Sequence, residues 1–320
     1  MRNYWKDGIF GVVAGDALGS PVQFEDRATV ATHPVTCMRE NSVFHLPAGS
    51  WTDDSSLTLA LLDSICTTGR LDLDHIMGNF TEWLFHGAYT PFGFAFDIGR
   101  GTRQAIKAYR YKGPLQCGKS HDQNNGNGSL MRILPACLFC YQQMLSDDEA
   151  VQEIHAVGSL THANIRANIA CGLYYFMVKA ILTEEGTLDE SLQKGLDHGF
   201  TYYESQSIDH EDLEHYHRLR DLPRFSETPS EQIRSTGYVV DTLEAVVWSL
   251  ITTNSLETAL LKAVNLGVDS DTVGAIAGGL AGLFYGFDAI PSQWTELLKK
   301  RIWIEELCEK ANQAFPSGSA

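Results

Sequence analysis

Thr52-Asp53-Asp54 and Asp269-Ser270-Asp271-Thr272 lie near opposite ends of the chain, and each opens an apolar run with helical spacing. Carboxylates beside hydroxyls are hard oxygen ligands, suited to magnesium, manganese or calcium rather than to zinc or copper. A lone Asp-Asp at a helix start is ordinarily a cap that favours the positive end of the helix dipole. Two such clusters, each edged by a threonine and flanked by glycines or hydroxyls, point instead to two halves of one metal site.

A third feature is the loop His121 to Arg132, HDQNNGNGSLMR. Its asparagines and glycines permit left-handed backbone and leave amides free, and Ser129 and Leu130 are expected to begin the next helix. A turn that feeds a helix amino terminus suits a phosphate or diphosphate, although an Asn-Gly loop alone is commonly only a turn. FDIGRGT, around Asp97, is another glycine-rich loop. THANIRA places His162 at an expected helix start, where a histidine is more often a cap or hydrogen-bond partner than a catalyst. No Ser-His-Asp order, Walker loop or dinucleotide fingerprint is present, and GDALG lacks the preceding strand that a Rossmann turn requires.

The elements that must position these groups read as helices. Leu57, Ala60, Leu61, Ser64 and Ile65 share one helical face that should stop at Gly69. Asn254 with Glu257 resembles a capping box for a helix whose buried face is Leu256, Ala259, Leu260, Ala263 and Val264, with a stop at Gly267. Tyr238 to Ile251 reads as a core helix. Convincing alternating strands are scarce, so the expected fold class is all-α. Gly11, Gly15 and Gly19 recur every four residues, as do Gly274, Gly278, Gly282 and Gly286. Each interior glycine costs a helix ~1 kcal/mol relative to alanine, so the ladders need a packing reason. Bare faces that let helix backbones approach closely, these two helices included, would supply it. Gly19 by itself also fits a terminator before Pro21.

With 320 residues, 44% of them hydrophobic, the chain can bury a large core as one large domain or two modest ones. A formal net charge of −16 disfavours a nucleic-acid backbone or an anionic membrane as partner. Seven cysteines without a paired pattern suggest reduced thiols in a cytoplasmic protein. Cys137 and Cys140 have CxxC spacing but sit in an apolar run with no second CxxC, as core thiols do. The opening segment has an aspartate inside its apolar stretch, unlike a secretory signal. Val273 to Phe287 is too short to span a bilayer and reads as a core helix. Residues 204 to 234 form a polar surface excursion in which His210, His215 and His217 are outnumbered by acids, so a solvated helix or loop is expected rather than a metal site. The bare residues alone would also allow a dinuclear phosphoester hydrolase.

GDALGSPVQF, GSWTDDSSLTLALL, FDIGRGT, NGNGSLMR, the TH of Thr161-His162, GYVVDTLEA and NLGVDSDTVGAIAGGLAGLFYG run in order along nearly the whole chain. Together they resemble the ADP-ribosylglycohydrolase family, which includes the dinitrogenase reductase-activating glycohydrolase and ADP-ribosylarginine hydrolases. The resemblance implies a single compact, orthogonal all-α domain over residues 1–316, followed by a short tail at 317–320. It also implies a dinuclear Mg2+ or Mn2+ site with ligands from Thr52, Asp53, Asp54, Asp269, Asp271 and Thr272. Asn127, Gly128, Ser129, Leu130 and Met131 would hold the diphosphate or adjacent ribose, with His162 and Tyr238 in the substrate pocket and Asp97 on the leaving-group side. The implied reaction is hydrolysis of the bond between ADP-ribose and an acceptor on an ADP-ribosylated protein or a small conjugate. Arginine is the default acceptor, with serine, O-acetyl and nucleobase linkages open, and Asp54 or Asp269 would be the base. One residue departs from the pattern: Gln23 stands where many members have glutamate, and an amide cannot act as a carboxylate base. Glu25 would substitute only if a loop turned it inward, and the alternative is a protein that binds ADP-ribose or an ADP-ribosylated protein with weak turnover because of Gln23.

Overall fold

A computed structural model describes residues 2–41, 43–206 and 210–316, so the 317–320 tail lies outside the described residues. In chain order the helices are α1 Tyr4–Gly19, α2 Arg27–Thr32, α3 Asp53–Thr68, α4 Leu73–His86, α5 Arg100–Lys112, α6 Leu134–Gln142, α7 Asp147–Ser159 and α8 Ile165–Thr183. They continue as α9 Leu188–Ser205, α10 His210–Glu214, α11 Leu222–Ser226, α12 Val239–Ile251, α13 Leu256–Val264, α14 Ser270–Tyr285, α15 Ser292–Leu297 and α16 Arg301–Ala314. Among the described residues the only β pairing is three isolated bridges. One domain results, built on one continuous apolar core.

The glycine ladders fix its centre. A Cβ on Gly11 would land on the Gly278 carbonyl, one on Gly15 on the Gly274 carbonyl, and one on Gly19 on the Ser270 carbonyl. As one number rises the other falls, so α1 and α14 run antiparallel with their backbones in contact. Both are buried almost throughout. α14 also packs on α13, α12, α8 and α3, while α1 packs on α16, α13, α6 and α3. Gly19 is the last residue of α1, but its bare face is occupied by the start of α14, so it serves packing as well as termination.

Local chemistry explains most boundaries. α3 ends where Gly69 turns left-handed at φ 68°. α13 is capped by Ser255, whose hydroxyl accepts from the Thr258 amide at 3.2 Å. The cap is therefore one residue later than Asn254, and the helix ends at Val264, before Gly267. Leu130–Arg132 is a single 3-10 turn that leads into α6 at Leu134. α8 is long and apolar enough to cross a membrane, but 67% of that stretch is buried inside the fold. The polar region after α9 is pinned to the body by buried Leu213, Tyr216, Leu219, Leu222 and Phe225. All seven cysteines are free thiols, with Cys137 and Cys140 buried.

Candidate active site

The antiparallel pairing has a direct chemical result. It brings the carboxyl end of α1 to the amino end of α14, and α3 starts beside both. Asp53 and Asp54 occupy the first turn of α3. Asp269 and Asp271 flank the start of α14, with Asp269 at the N-cap position. Neither Thr52 nor Asp269 makes a side-chain cap. For α3, capping is done from another helix: buried Asp16 of α1 accepts from the Thr52 amide at 2.9 Å, the Ser55 amide at 3.0 Å and the Ser55 hydroxyl at 2.5 Å. Asp53 and Asp54 are thereby left to face a cavity instead of their own backbone.

That cavity measures ≈ 500 Å³, within the range of small-molecule sites. Asp53, Asp54, Asp97, Asp269, Asp271 and Thr272 line it, together with Gln23, Asn127, Gly128, Met131 and His162. Thr52 lies behind the carboxylates and donates toward Asp54 at 3.3 Å and Asp271 at 3.5 Å. Asn127 donates to Asp269 Oδ2 at 2.5 Å and to Thr242 at 2.9 Å, and its amide bonds to the Gly237 carbonyl at 3.1 Å. The loop is thus stitched to the start of α12. Arg132, fully buried, donates to the Gly128 and Val157 carbonyls and stacks over Phe80.

Three expected substrate residues stand elsewhere. Ser129 and Leu130 are core side chains, because the 3-10 turn directs them inward; Ser129 accepts from the Cys171 thiol. Tyr238 is the N-cap residue of α12 and turns its hydroxyl toward Arg166, outside the cavity lining. His162 is in the cavity wall but does not start a helix; Asn164 caps α8 by accepting from the Arg166 amide. The imidazole is a wedge between the first turn of α5 and the Gly126–Gly128 loop: a Cβ on Gly101 would meet it at 2.9 Å and one on Gly128 at 2.6 Å. Burial, with Arg132 adding repulsion, pushes His162 down to about 3, so the ring is neutral. Glu25 does not line the cavity, whereas Phe24, Val268 and the Gly99–Thr102 turn do.

Electrostatics test whether these residues suit a cation. Burial raises Asp53, Asp54 and Asp271 well above the usual carboxylate range, and neighbouring carboxylates raise them further. Burial also brings Asp16 to about 7 and Asp269 to about 6, in the latter case against the Asn127 hydrogen bond. Asp54 Oδ1, Asp271 Oδ1, Asp97 Oδ2 and Gln23 Oε1 are buried without a hydrogen-bond partner. Buried polar atoms are seldom left so, and clustered acceptors of one sign call for a shared positive partner. Among the described residues no three carboxylate, imidazole or thiol groups stand at ligating geometry. The donor set is all oxygen, which fits a hard divalent cation.

Sequence reasoning missed Asp16 and Arg132, both of which hold the site from behind. The signal for Asp16 was its place inside the apolar stretch of α1, since a buried charge needs partners.

An all-helical domain that turns two distant carboxylate clusters and two glycine loops into one cavity defines a class, and comparison with known proteins supplies its name. The chain belongs to the ADP-ribosylglycohydrolase family, whose model matches residues 3–320. It is similar to the ADP-ribosylarginine hydrolase Tri1 of Pseudomonas putida, 30% identical over 97% of this chain and 77% of that protein. It is also similar to the ADP-ribosyl-[dinitrogen reductase] glycohydrolase of Rhodospirillum rubrum, 29% identical over 92% of this chain and 90% of that protein. A solved structure described as an ADP-ribosylglycohydrolase-related protein complex superposes with a TM-score of 0.78 at 27% identity, covering 98% of both chains.

Proposed function

We propose that this protein is a metal-dependent hydrolase that releases ADP-ribose from ADP-ribosylated arginine on an acceptor protein. The supporting observation is the set of buried carboxylate oxygens without partners around a cavity floored by Asp54, Asp269 and Asp271. The relatives' names supply the linkage. Thr52, Asp53, Asp54, Asp269, Asp271 and Thr272 would hold two Mg2+ or Mn2+ ions. Such ions polarise oxygen and lower the pKa of water.

The chain's own residues do the rest. The Gly126–Gly128 loop and the Gly99–Thr102 first turn of α5 line the cavity, and a glycine-rich loop beside a helix amino terminus suits a diphosphate. Asn127 fixes one oxygen of Asp269, leaving the other to take a proton from the attacking water. Asp54 is the alternative base through its unpartnered Oδ1. Cleavage at the anomeric carbon builds positive charge on the ribose, which the surrounding carboxylates stabilise. Asp97, beside Gln23 and Asp271, faces the departing guanidine. The free thiols suit a cytoplasmic setting.

The test is release of ADP-ribose from an arginine-ADP-ribosylated protein, with magnesium, with chelator, and with Asp269→Ala. Metal-dependent release that disappears in the variant supports the reading. Release of AMP with phosphoribose left on the arginine would replace it with diphosphate cleavage. Gln23 favours a second reading, a binder of ADP-ribose with weak turnover, because its buried amide oxygen stands where a carboxylate is usual. A large gain in turnover by Gln23→Glu at unchanged ADP-ribose affinity would select it.

A further inference from the structure

On a chain with a formal net charge of −16, α5 has the opposite character. It carries Arg100, Arg103, Lys107, Arg110 and Lys112 and no acidic residue. Thr102, Ala105 and Ile106 fasten it to the body, and all five cationic residues are exposed. Four of them, Arg100 to Arg110, follow at intervals of three and four, which sets them on one helical face about 15 Å long.

Among the described residues none of the five is ion-paired. None of them is ion-paired with the adjacent helix α4: Asp72, its N-cap, is paired with Arg70, and Asp74 accepts from Tyr109. A run of like charge is ordinarily a solvated face. Here it ends in apolar side chains left in water, Tyr111 at 87% and Leu115 at 80% exposure, and Arg110 stacks on the half-exposed Phe85. Arginine and aromatic residues side by side are the composition of protein interfaces. The amino end of α5 forms the cavity wall from Gly99 to Thr102, so a partner lying along the helix is aligned with the cavity mouth.

We propose that α5 is the docking surface for the acceptor protein, and that it selects an acidic segment flanking the ADP-ribosylated side chain. The proposal rests on the hydrolase reading above for the identity of the acceptor. A protein carrying one local acidic patch engages the stripe alone, whereas a long polyphosphate would also meet the surrounding negative surface.

The test uses two synthetic peptides with a central ADP-ribosylated arginine, one flanked by glutamates and one by lysines, beside free ADP-ribosylarginine. The wild-type protein is expected to cleave the glutamate-flanked peptide with a kcat/KM at least about tenfold higher at low salt. High salt should remove the preference. Arg103→Glu/Lys107→Glu/Arg110→Glu, or the milder glutamine triple, should remove it too, while cleavage of free ADP-ribosylarginine stays within about twofold, which also reports that the variant is folded. A fluorescence-anisotropy measurement with unmodified labelled glutamate-rich peptide reads docking without turnover. If none of the three substrates is cleaved, the hydrolase reading fails and anisotropy still decides the docking one. A wild-type ratio near one, a preference that survives the substitutions, or tighter binding of a DNA duplex than of the acidic peptide overturns the proposal.

Discussion

The carboxyl of Asp16 never lines the cavity, yet the position of Asp53 and Asp54 depends on it. Asp16→Ala removes the one oxygen, Oδ2, on which the donors from Thr52 and Ser55 converge. Groups that orient metal ligands typically matter 10- to 100-fold in metal affinity, so about that loss is expected by calorimetric titration with Mn2+, with the fold retained by circular dichroism. His162 makes a pH-dependent contribution whose sign follows from its depressed pKa. The folded ring stays neutral down to about 3, whereas the unfolded ring takes a proton near 6.5. Its stabilisation is therefore complete above the unfolded pKa and is lost as pH falls, by about 2 kcal/mol at pH 5. Denaturant unfolding of wild type and His162→Gln at pH 7 and pH 5 should converge by that amount; parallel curves would refute the neutral wedge. Val268, a β-branched residue at φ 62°, is held by hydrogen bonds to Glu25 and Phe24 of 2.7 Å each. Phe24 and Asp97 share positive φ, and all three line the cavity. Strain of ~1–3 kcal/mol at such a residue persists only where its surroundings enforce it, so Val268→Gly should raise the unfolding midpoint and lower kcat.

Between elements, the contact that matters most is α1 on α14. Gly15→Ala would drive a methyl into the Gly274 backbone, and backbone cannot yield as a side chain does. A loss of about 3 kcal/mol or insoluble expression is expected. Gly78→Ala, inside α4 with nothing within 4 Å of the added carbon, should instead stabilise by about 0.5–1 kcal/mol. The same assay on both variants separates packing from helix propensity. This contact was legible in the sequence because a four-residue glycine period is costly unless backbones touch. The paired carboxylate clusters were legible too, since each keeps its spacing at a helix start. The side chains of Ser129, Leu130 and Tyr238 stay out of the cavity lining for a common reason: adjacent loop residues look alike in sequence, while a 3-10 turn or a cap decides which of them enter core or cavity. Asp16 was hidden because its partners are amides of another helix, and backbone donors leave no mark in a sequence.

For the molecule as a whole, the crowded, buried carboxylates oppose folding, and on the proposed reading a bound cation would offset this. Divalent ion at a hundredfold excess over Kd adds about 2.7 kcal/mol. In thermal unfolding, Mg2+ or Mn2+ should raise Tm by several degrees and chelator should reverse it; Asp271→Asn should abolish the response. An equal rise with the variant would show that ions act elsewhere. The antiparallel core helices have one more consequence, for synthesis. α1 leaves the ribosome well before α14, and at ~5–20 residues per second the interval is on the order of ten to fifty seconds. Throughout that time a helix buried almost end to end in the finished protein lacks its main partner. A nascent chain of this design is therefore a natural client for a ribosome-bound chaperone, and a message cut short before α14 yields no partial enzyme, since half of the cavity's acidic floor has not yet been made.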